Sequence, residues 1–269
     1  MTLAVFELRA QNTDQLATWF EEQDFERIIA ATEEPTDPSS AMYRADAFHK
    51  IGAYKEAELA YDRAEKLGAS GKFIFLNRGI CRFSLGRYEA SRDDLLEAHE
   101  RDALESKIPY YLAAISYMQD EFKLALRYLE DALRLEPDYF DALYLQGAIL
   151  LTQGKGASAE VAFMRCLELK RTDQRTRLNL AMTYVDQFRF EEARELLDEL
   201  ILYTEGDLLR DAYYHRGNLR LDDHDQLGAC EDWSNAADLG DEMAEAHIQE
   251  VCTKGAKKIR KRKAVHVAF

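Results

Sequence analysis

A column of small residues recurs along the chain at nearly constant spacing. Five members lie 34 residues apart and the sixth follows after 36: Ala45, Gly79, Ala113, Gly147, Ala181 and Gly217. A fixed period of this length is the signature of repeat proteins, in which each repeat is one supersecondary element stacked on its neighbours. The chain is therefore expected to grow by repetition.

Three further columns keep the same register and show what each repeat contains. A small residue lies 12 positions after each member of the first column, a bulky residue follows four positions later, and a mostly small residue three positions after that. The members are Ala57, Ser91, Ala125, Ala159, Ala193 and Ala229, then Tyr61, Leu95, Leu129, Phe163, Leu197 and Trp233, then Ala64, Ala98, Ala132, Cys166, Leu200 and Ala236. Spacings of four and three residues line one face of an α-helix, so these columns belong to one buried helix face per repeat.

A turn separates the first column from the other three. In three of the repeats it carries Gly52, Gly86 or Gly154, and glycine supplies the backbone conformation that ends a helix. Each repeat is thus predicted to be a helix, a tight turn and a second helix. Only four prolines and 32% charged residues also favour amphipathic helices, so the predicted fold class is all-α.

These residues resemble the tetratricopeptide repeat (TPR) family, whose repeats combine a small residue, a glycine-x-aromatic turn and an alanine-x-x-x-aromatic-x-x-alanine pattern. The resemblance covers 38–243 as six TPR repeats and implies a right-handed α-solenoid of helix-turn-helix repeats. The fifth turn departs from the family because Phe188 replaces glycine, and the sixth reads Asp-Asp-His-Asp at 222–225. Residues 1–37 are expected to be degenerate N-terminal capping helices, and 244–253 the end of a C-terminal capping helix.

Charge separates the C-terminal segment from the rest of the chain. The net charge is −15, yet residues 254–269 carry seven basic residues and no acid, which leaves 28 basic and 50 acidic side chains, a charge of −22, in residues 1–253. An acidic body repels phosphate backbones. Nucleic acid is therefore not expected as a partner except through 254–263, within the basic tail at 254–269.

The sequence carries no motif of an active site, cofactor site or metal site. It lacks a P-loop, a G-x-S-x-G elbow, an H-E-x-x-H motif and a glycine-rich dinucleotide turn, and its six histidines are scattered. The four cysteines have no C-x-x-C spacing, so buried thiols in a reducing compartment are expected. No stretch approaches the roughly 20 apolar residues that span a bilayer. We predict a cytoplasmic protein with no enzymatic activity, no cofactor, no metal and no transmembrane segment.

The family resemblance implies a concave groove, lined by the first helix of each repeat, that holds extended peptides or partner helices. Repeat phase places Met42, Asp46 and their equivalents there, and the lining is apolar and aromatic in its middle. The predicted peptide-binding residues are Leu76, Asn77, Phe83, Tyr110, Tyr117, Tyr144, Leu151, Asn179, Met182, Tyr214 and Asn218.

The expected function is that of an intracellular protein–protein interaction scaffold or adaptor that binds an apolar or amphipathic peptide. Family members that grip the C-terminal carboxylate of chaperones use Lys and Asn or Arg one turn apart on their first helices. This sequence has Met42 and Asp46 there, so no carboxylate-clamp binding to chaperones is expected.

Three alternatives stay open. The chain could bind an anionic surface or nucleic acid through its tail, or it could be a structural protein that associates with itself. The asparagines and tyrosines of the predicted groove could also serve only to pack and hydrogen-bond between neighbouring helices.

Overall fold

The computed structural model describes residues 13–253, and every regular element in that range is helical. The helices are 13–21 (α1), Phe25–Ala31 (α2), Pro38–Lys50 (α3), Tyr54–Lys66 (α4), Lys72–Ser84 (α5), Tyr88–Arg101 (α6), Lys107–Met118 (α7), Phe122–Leu135 (α8), Phe140–Thr152 (α9), Gly156–Leu169 (α10), Gln174–Asp186 (α11), Phe190–Tyr203 (α12), Gly206–Asp222 (α13), Gln226–Asp238 (α14) and Glu242–His247 (α15), followed by a π-helical turn at Ile248–Cys252. The all-α prediction is confirmed. The basic tail at 254–269, with its predicted anion-binding stretch, lies outside the described residues.

The helices fall into two compact units, an N-terminal unit that ends at Tyr139 and a C-terminal unit that begins at Phe140. Within the N-terminal unit, consecutive helices from α2 to α8 contact one another, and α5 also contacts α3 and α7. In the C-terminal unit α9 to α15 do the same, and α11 also contacts α9 and α13. The first helices of consecutive pairs therefore lie side by side, as in an α-solenoid. The division of 38–243 into six repeats, with caps at 1–37 and 244–253, stays a prediction.

The four predicted columns form the buried contact between the two helices of each pair, and all of their members are buried. A Cβ atom added at Gly147 would lie 2.7 Å from Phe163 Cε1, and one added at Gly217 would lie 2.7 Å from Trp233 Cδ1. Large rings on the second helix thus require glycine on the first. The spacing of the columns correctly predicts which faces of the helices are packed together.

The turn inside each of these pairs contains one residue with a left-handed backbone, always at the same repeat phase. The six residues, with φ between +59° and +76°, are Gly52, Gly86, Asp120, Gly154, Phe188 and His224. The third, fifth and sixth turns therefore adopt the conformation of the glycine-containing turns without a glycine. A non-glycine residue in this region of the backbone costs about 1–2 kcal/mol.

Replacing Phe188 with glycine is expected to raise the free energy of unfolding of the C-terminal unit by about 1 kcal/mol. The Phe188 side chain is 81% exposed, so little packing is lost with it. Urea denaturation measures the gain, and Asp120→Gly, at the equivalent turn of the N-terminal unit, is the control. Its gain should be smaller because Asp tolerates the left-handed region better than Phe does. Destabilisation by Phe188→Gly would show that the contact between the Phe188 and Phe190 rings, whose centroids are 6.1 Å apart, outweighs the backbone strain.

Two of the four cysteines are joined, contrary to the prediction of free buried thiols. Cys230 on α14 and Cys252 in the π-helical turn form a disulfide with a Cα–Cα distance of 6.0 Å. The prediction was wrong because the return of the chain after α14 brings together residues 22 positions apart, a spacing with no local motif. Cys81 and Cys166 are free and buried, as predicted. Since disulfides persist in oxidising compartments, this bond removes the cysteine argument for a cytoplasmic location.

Candidate functional site

A pocket of about 530 Å³ opens between α3 and α5 in the N-terminal unit. Its apolar walls are Met42 and Tyr43 on α3 and Phe73 and Ile74 on α5, and the loop 68–71 lines one side. Phe73 is 55% exposed, whereas Ile74 is buried. The pocket therefore presents an aromatic ring that the protein itself leaves largely uncovered.

Asp46 is the single charged side chain among the residues that line this pocket. Its Oδ1 atom accepts hydrogen bonds from the Tyr61 hydroxyl at 2.6 Å and from Asn77 Nδ2 at 3.1 Å. The pKa of the Asp46 carboxyl lies above its ordinary value because burial disfavours the charged form. The two hydrogen bonds and the charge of Lys50 lower the pKa and offset part of this rise. The two neighbouring helices thus hold the carboxylate in a fixed position at the pocket.

A run of aromatic rings crosses the same unit. The ring of Phe83 on α5 lies 5.8 Å from Tyr88 and 5.5 Å from Tyr111, centroid to centroid. Tyr110 lies 5.0 Å from Tyr111 and 5.0 Å from Tyr139. All five rings are half-buried, so each packs against its neighbours and still has an accessible edge or face. Of the predicted binding residues, the structure brings Phe83 and Tyr110 together through Tyr111.

Leu76 was predicted to line the groove, but the structure places it in the core. Its side chain is 2% exposed and packs in the hydrophobic core of the N-terminal unit. Leu76 lies three residues before Gly79 and therefore shares the inward helix face of the small-residue column. Tyr110, at the same repeat phase, has a longer side chain and is half-buried. Tyr117, also predicted, is half-buried and contacts Phe122 at 5.9 Å.

In the C-terminal unit the predicted residues are engaged with one another and with the core. Asn179 Nδ2 donates a hydrogen bond of 2.8 Å to the Tyr144 hydroxyl, and the Tyr144 ring lies 6.0 Å from Phe163. Burial raises the pKa of Tyr144. Leu151 and Met182 are half-buried and pack against hydrophobic clusters. Here the structure shows the asparagine bonded to a neighbouring helix, one of the alternatives left open by the sequence.

The last predicted residues of this unit are covered by its C-terminal helix. His247 on α15 stacks on Tyr214 with ring centroids 5.8 Å apart and on Trp233 at 4.8 Å. Asn218 Oδ1 accepts a hydrogen bond of 3.0 Å from Trp233 Nε1. Tyr214 and Asn218 therefore contact the protein's own side chains.

Several residues of the candidate site were not predicted from the sequence. Phe73, Tyr43, Tyr111 and Tyr139 fall outside the repeat phase used to choose groove positions, and Asp46 was placed in the groove without a binding role. The sequence signal that could have located this pocket is the pair of glycines in the loop before α5. Gly68 and Gly71 adopt φ of +100° and +133°, and they line the pocket together with Phe73. Glycine is the residue that allows such a backbone.

Within residues 13–253, no group of three or more His, Cys, Asp or Glu side chains is arranged to hold a metal ion. None of the helices in this range combines the length and the apolar composition needed to cross a membrane.

Comparison with protein families identifies the repeats. Two sequence models, both described as tetratricopeptide repeat, match this chain, one at residues 150–217 and the other at 22–72 and 111–168. Together they cover more than half of the chain. A curated relative, the TPR repeat-containing thioredoxin TTL4 of Arabidopsis thaliana, is 31% identical over 71 residues, which are 26% of this chain and 10% of the relative. This chain thus matches about a tenth of that protein's length.

Known structures with similar folds include proteins described as TPR proteins. The C-terminal part of a TPR repeat-containing protein from Cytophaga hutchinsonii has a TM-score of 0.66 and 17% identity, over 87% of this chain and 98% of its own. The APC/C hetero-tetramer Cut9-Hcn1 has a TM-score of 0.70 and 13% identity, over 88% of this chain and 48% of its own. YrrB, described as a TPR protein with an unusual peptide-binding site, has a TM-score of 0.51 and 23% identity, over 66% of this chain and 90% of its own. At these identities the likeness concerns the fold alone. With its buried columns, its six equivalent turns and the matching repeat models, the chain belongs to the tetratricopeptide repeat family.

Proposed function

We propose that this protein is an interaction scaffold whose N-terminal unit binds a peptide on the surface of α3, α5 and α7. We call this surface the first-helix face and define it by Met42, Tyr43, Phe73, Phe83 and Tyr110. TPR domains bind protein partners, and in this chain the binding surface would be the first-helix face of the N-terminal unit. The observation that carries it is the open pocket between α3 and α5, with Phe73 55% exposed at its wall.

The chemistry of this face suits an extended or helical peptide with apolar anchors. Pockets of 300–1,000 Å³ with mostly apolar walls are typical ligand sites, and this pocket of about 530 Å³ falls in that range. Aromatic side chains that remain accessible are also the commonest energetic centres of interfaces. The corresponding residues of the C-terminal unit supply less free surface, because Tyr144 is bonded to Asn179 and Tyr214 is covered by His247.

The test is a selection of random 12-residue peptides on phage against the immobilised full chain. Phe73→Ala should weaken the selected peptides by at least about tenfold, which corresponds to about 1.4 kcal/mol. Leu59→Ala is the matched control, because Leu59 is an apolar residue of similar exposure, 63%, on the second helix α4 of the same unit. The Leu59 variant should bind within about twofold of the unmodified chain.

Circular dichroism should show the same helical content for both variants, because neither side chain is buried. Fluorescence anisotropy of a labelled peptide gives the affinities. Loss of binding in Leu59→Ala with full binding in Phe73→Ala would move the site to the second helices and contradict the proposal.

The finer roles predicted from the sequence remain proposals here. An adaptor function, self-association and binding of anionic surfaces through 254–263 are supported by composition and repeat phase alone, and a cytoplasmic location loses its cysteine argument to the disulfide. YrrB, described as having an unusual peptide-binding site, lends support to peptide binding by this fold and no more.

A further inference from the structure

Asp46 is a carboxylate placed among apolar side chains. In the described residues it receives hydrogen bonds from Tyr61 and Asn77 and forms no ion pair with a basic side chain. A carboxylate that has lost part of its hydration and is paired with no basic side chain is held at a cost in free energy, which the nearby charge of Lys50 offsets only in part. A cation supplied by a ligand would recover that cost, whereas an apolar ligand group would increase it.

The surroundings of the pocket are negative as well. Beside burial, the charges of Asp46, Glu21 and Asp14 raise the pKa of Tyr43, so three carboxylates act on this one wall residue. Of the basic side chains near the pocket, Lys72 on α5 is bonded to Asp102, and Lys50 on α3 acts on Asp46 without forming an ion pair with it. An incoming positive charge would therefore be attracted to the pocket, and an incoming carboxylate repelled.

The walls suit the remainder of a basic side chain. Lysine and arginine carry three or four methylene groups that pack on apolar surface while the charged end reaches a polar partner. Met42 and Phe73 offer such a surface beside Asp46. Phe73 already has the Lys72 ammonium 4.7 Å from its ring centroid, which shows that its face accepts a cation.

We propose that Asp46 recognises a lysine or arginine side chain of the peptide partner, while an adjacent apolar residue of that peptide packs on Phe73. The proposed partner is thus a basic, amphipathic segment, which also complements the charge of −22 carried by residues 1–253. This inference rests on the proposed function of the same pocket and adds the specificity of that pocket to it.

The experiment uses peptides from the 12-residue selection on the full chain. The selected sequences should share one Lys or Arg next to an apolar residue. Replacing that Lys by norleucine, or that Arg by citrulline, should weaken binding to the unmodified protein by about tenfold or more. Against Asp46→Asn the same replacement should matter by less than about twofold, because the two changes remove one interaction.

Asp93→Asn is the matched control for charge. Asp93 is an exposed residue on α6 of the same unit, so its replacement removes one negative charge without touching the pocket. This variant should keep the full effect of norleucine or citrulline. The peptide-side replacement is measured on the unmodified protein, so the test stands even where Asp46→Asn fails to fold.

The outcomes separate the two proposals. Peptides that lose binding in Phe73→Ala but carry no shared basic residue, or that tolerate norleucine or citrulline, would overturn the role of Asp46 and leave the pocket as the binding site. A selection that yields no peptide dependent on Phe73 would overturn both proposals.

Discussion

Replacing Arg78 with methionine is expected to destabilise the N-terminal unit by about 3–5 kcal/mol. Arg78 is 5% exposed, and its guanidinium forms two parallel hydrogen bonds with Asp94, Nε to Oδ2 at 2.9 Å and Nη2 to Oδ1 at 2.8 Å. Its Nη1 atom also donates to Asp62 at 2.8 Å and to Glu65 at 2.6 Å. The side chain thus joins α4, α5 and α6, and its loss leaves buried Asp94 with only Arg82 as a cation.

Hydrogen exchange resolved by peptide mass spectrometry suits this measurement, because solenoid repeats open locally. The helices α5 and α6 should lose protection first. Arg134→Met is the control, since Arg134 and Asp131 form an exposed pair on α8 and pairs of this kind contribute about 0–1 kcal/mol. If Arg78→Met lowers the free energy of unfolding by less than about 1 kcal/mol, the hydrogen-bonded ion pairs of Arg78 add little to stability.

Breaking the bond between Cys230 and Cys252 is expected to destabilise the C-terminal end by about 2–4 kcal/mol, because a link across 22 residues restricts the unfolded chain. The change is Cys252→Ser, or reduction by a dithiol, and the region affected is α15 with the π-helical turn. Hydrogen exchange of this region should accelerate accordingly. The N-terminal unit should be unaffected in the same experiment, because repeats contact only their neighbours.

Alkylation provides the control for this prediction. Burial raises the pKa of Cys81 and of Cys166 to about 12, so these thiols stay protonated and unreactive in the folded protein. Unfolding without a reductant should therefore release two alkylatable thiols, and unfolding with a reductant should release four. Four thiols under both conditions would contradict the disulfide.

Much of the fold could be predicted because the same contact between two helices occurs in every repeat and leaves the same residue pattern each time. Ala125 alone would be an unremarkable alanine, but its equivalents at 34-residue spacing mark the closest approach of two helices, and all are buried. The turn at Phe188 follows the same logic. Its backbone is fixed by the helices on both sides, so it keeps a left-handed φ of +59° without a glycine.

The site was harder to predict because repeat phase specifies a helix face and not how far a side chain extends. Leu76 and Tyr110 share a phase, yet the leucine is buried and the tyrosine is half-buried. Long-range polar contacts leave a weaker periodic signal, because they need not occur in every repeat. The Arg78–Asp94 pair recurs at Arg216 and Asp232 in the C-terminal unit, with bonds of 2.9 and 2.7 Å, but is absent from the intervening repeats of the described chain.

The location of a bound peptide on the full chain distinguishes the first-helix face from every other surface. A selected peptide that carries p-benzoylphenylalanine at its apolar anchor would be photo-crosslinked to the full chain, and the modified residues identified by mass spectrometry. We expect crosslinks at Met42, Phe73 and the loop 68–71, which line the pocket between α3 and α5. Crosslinks confined to α4, α6 and α8, or to the C-terminal unit, would contradict binding at this pocket.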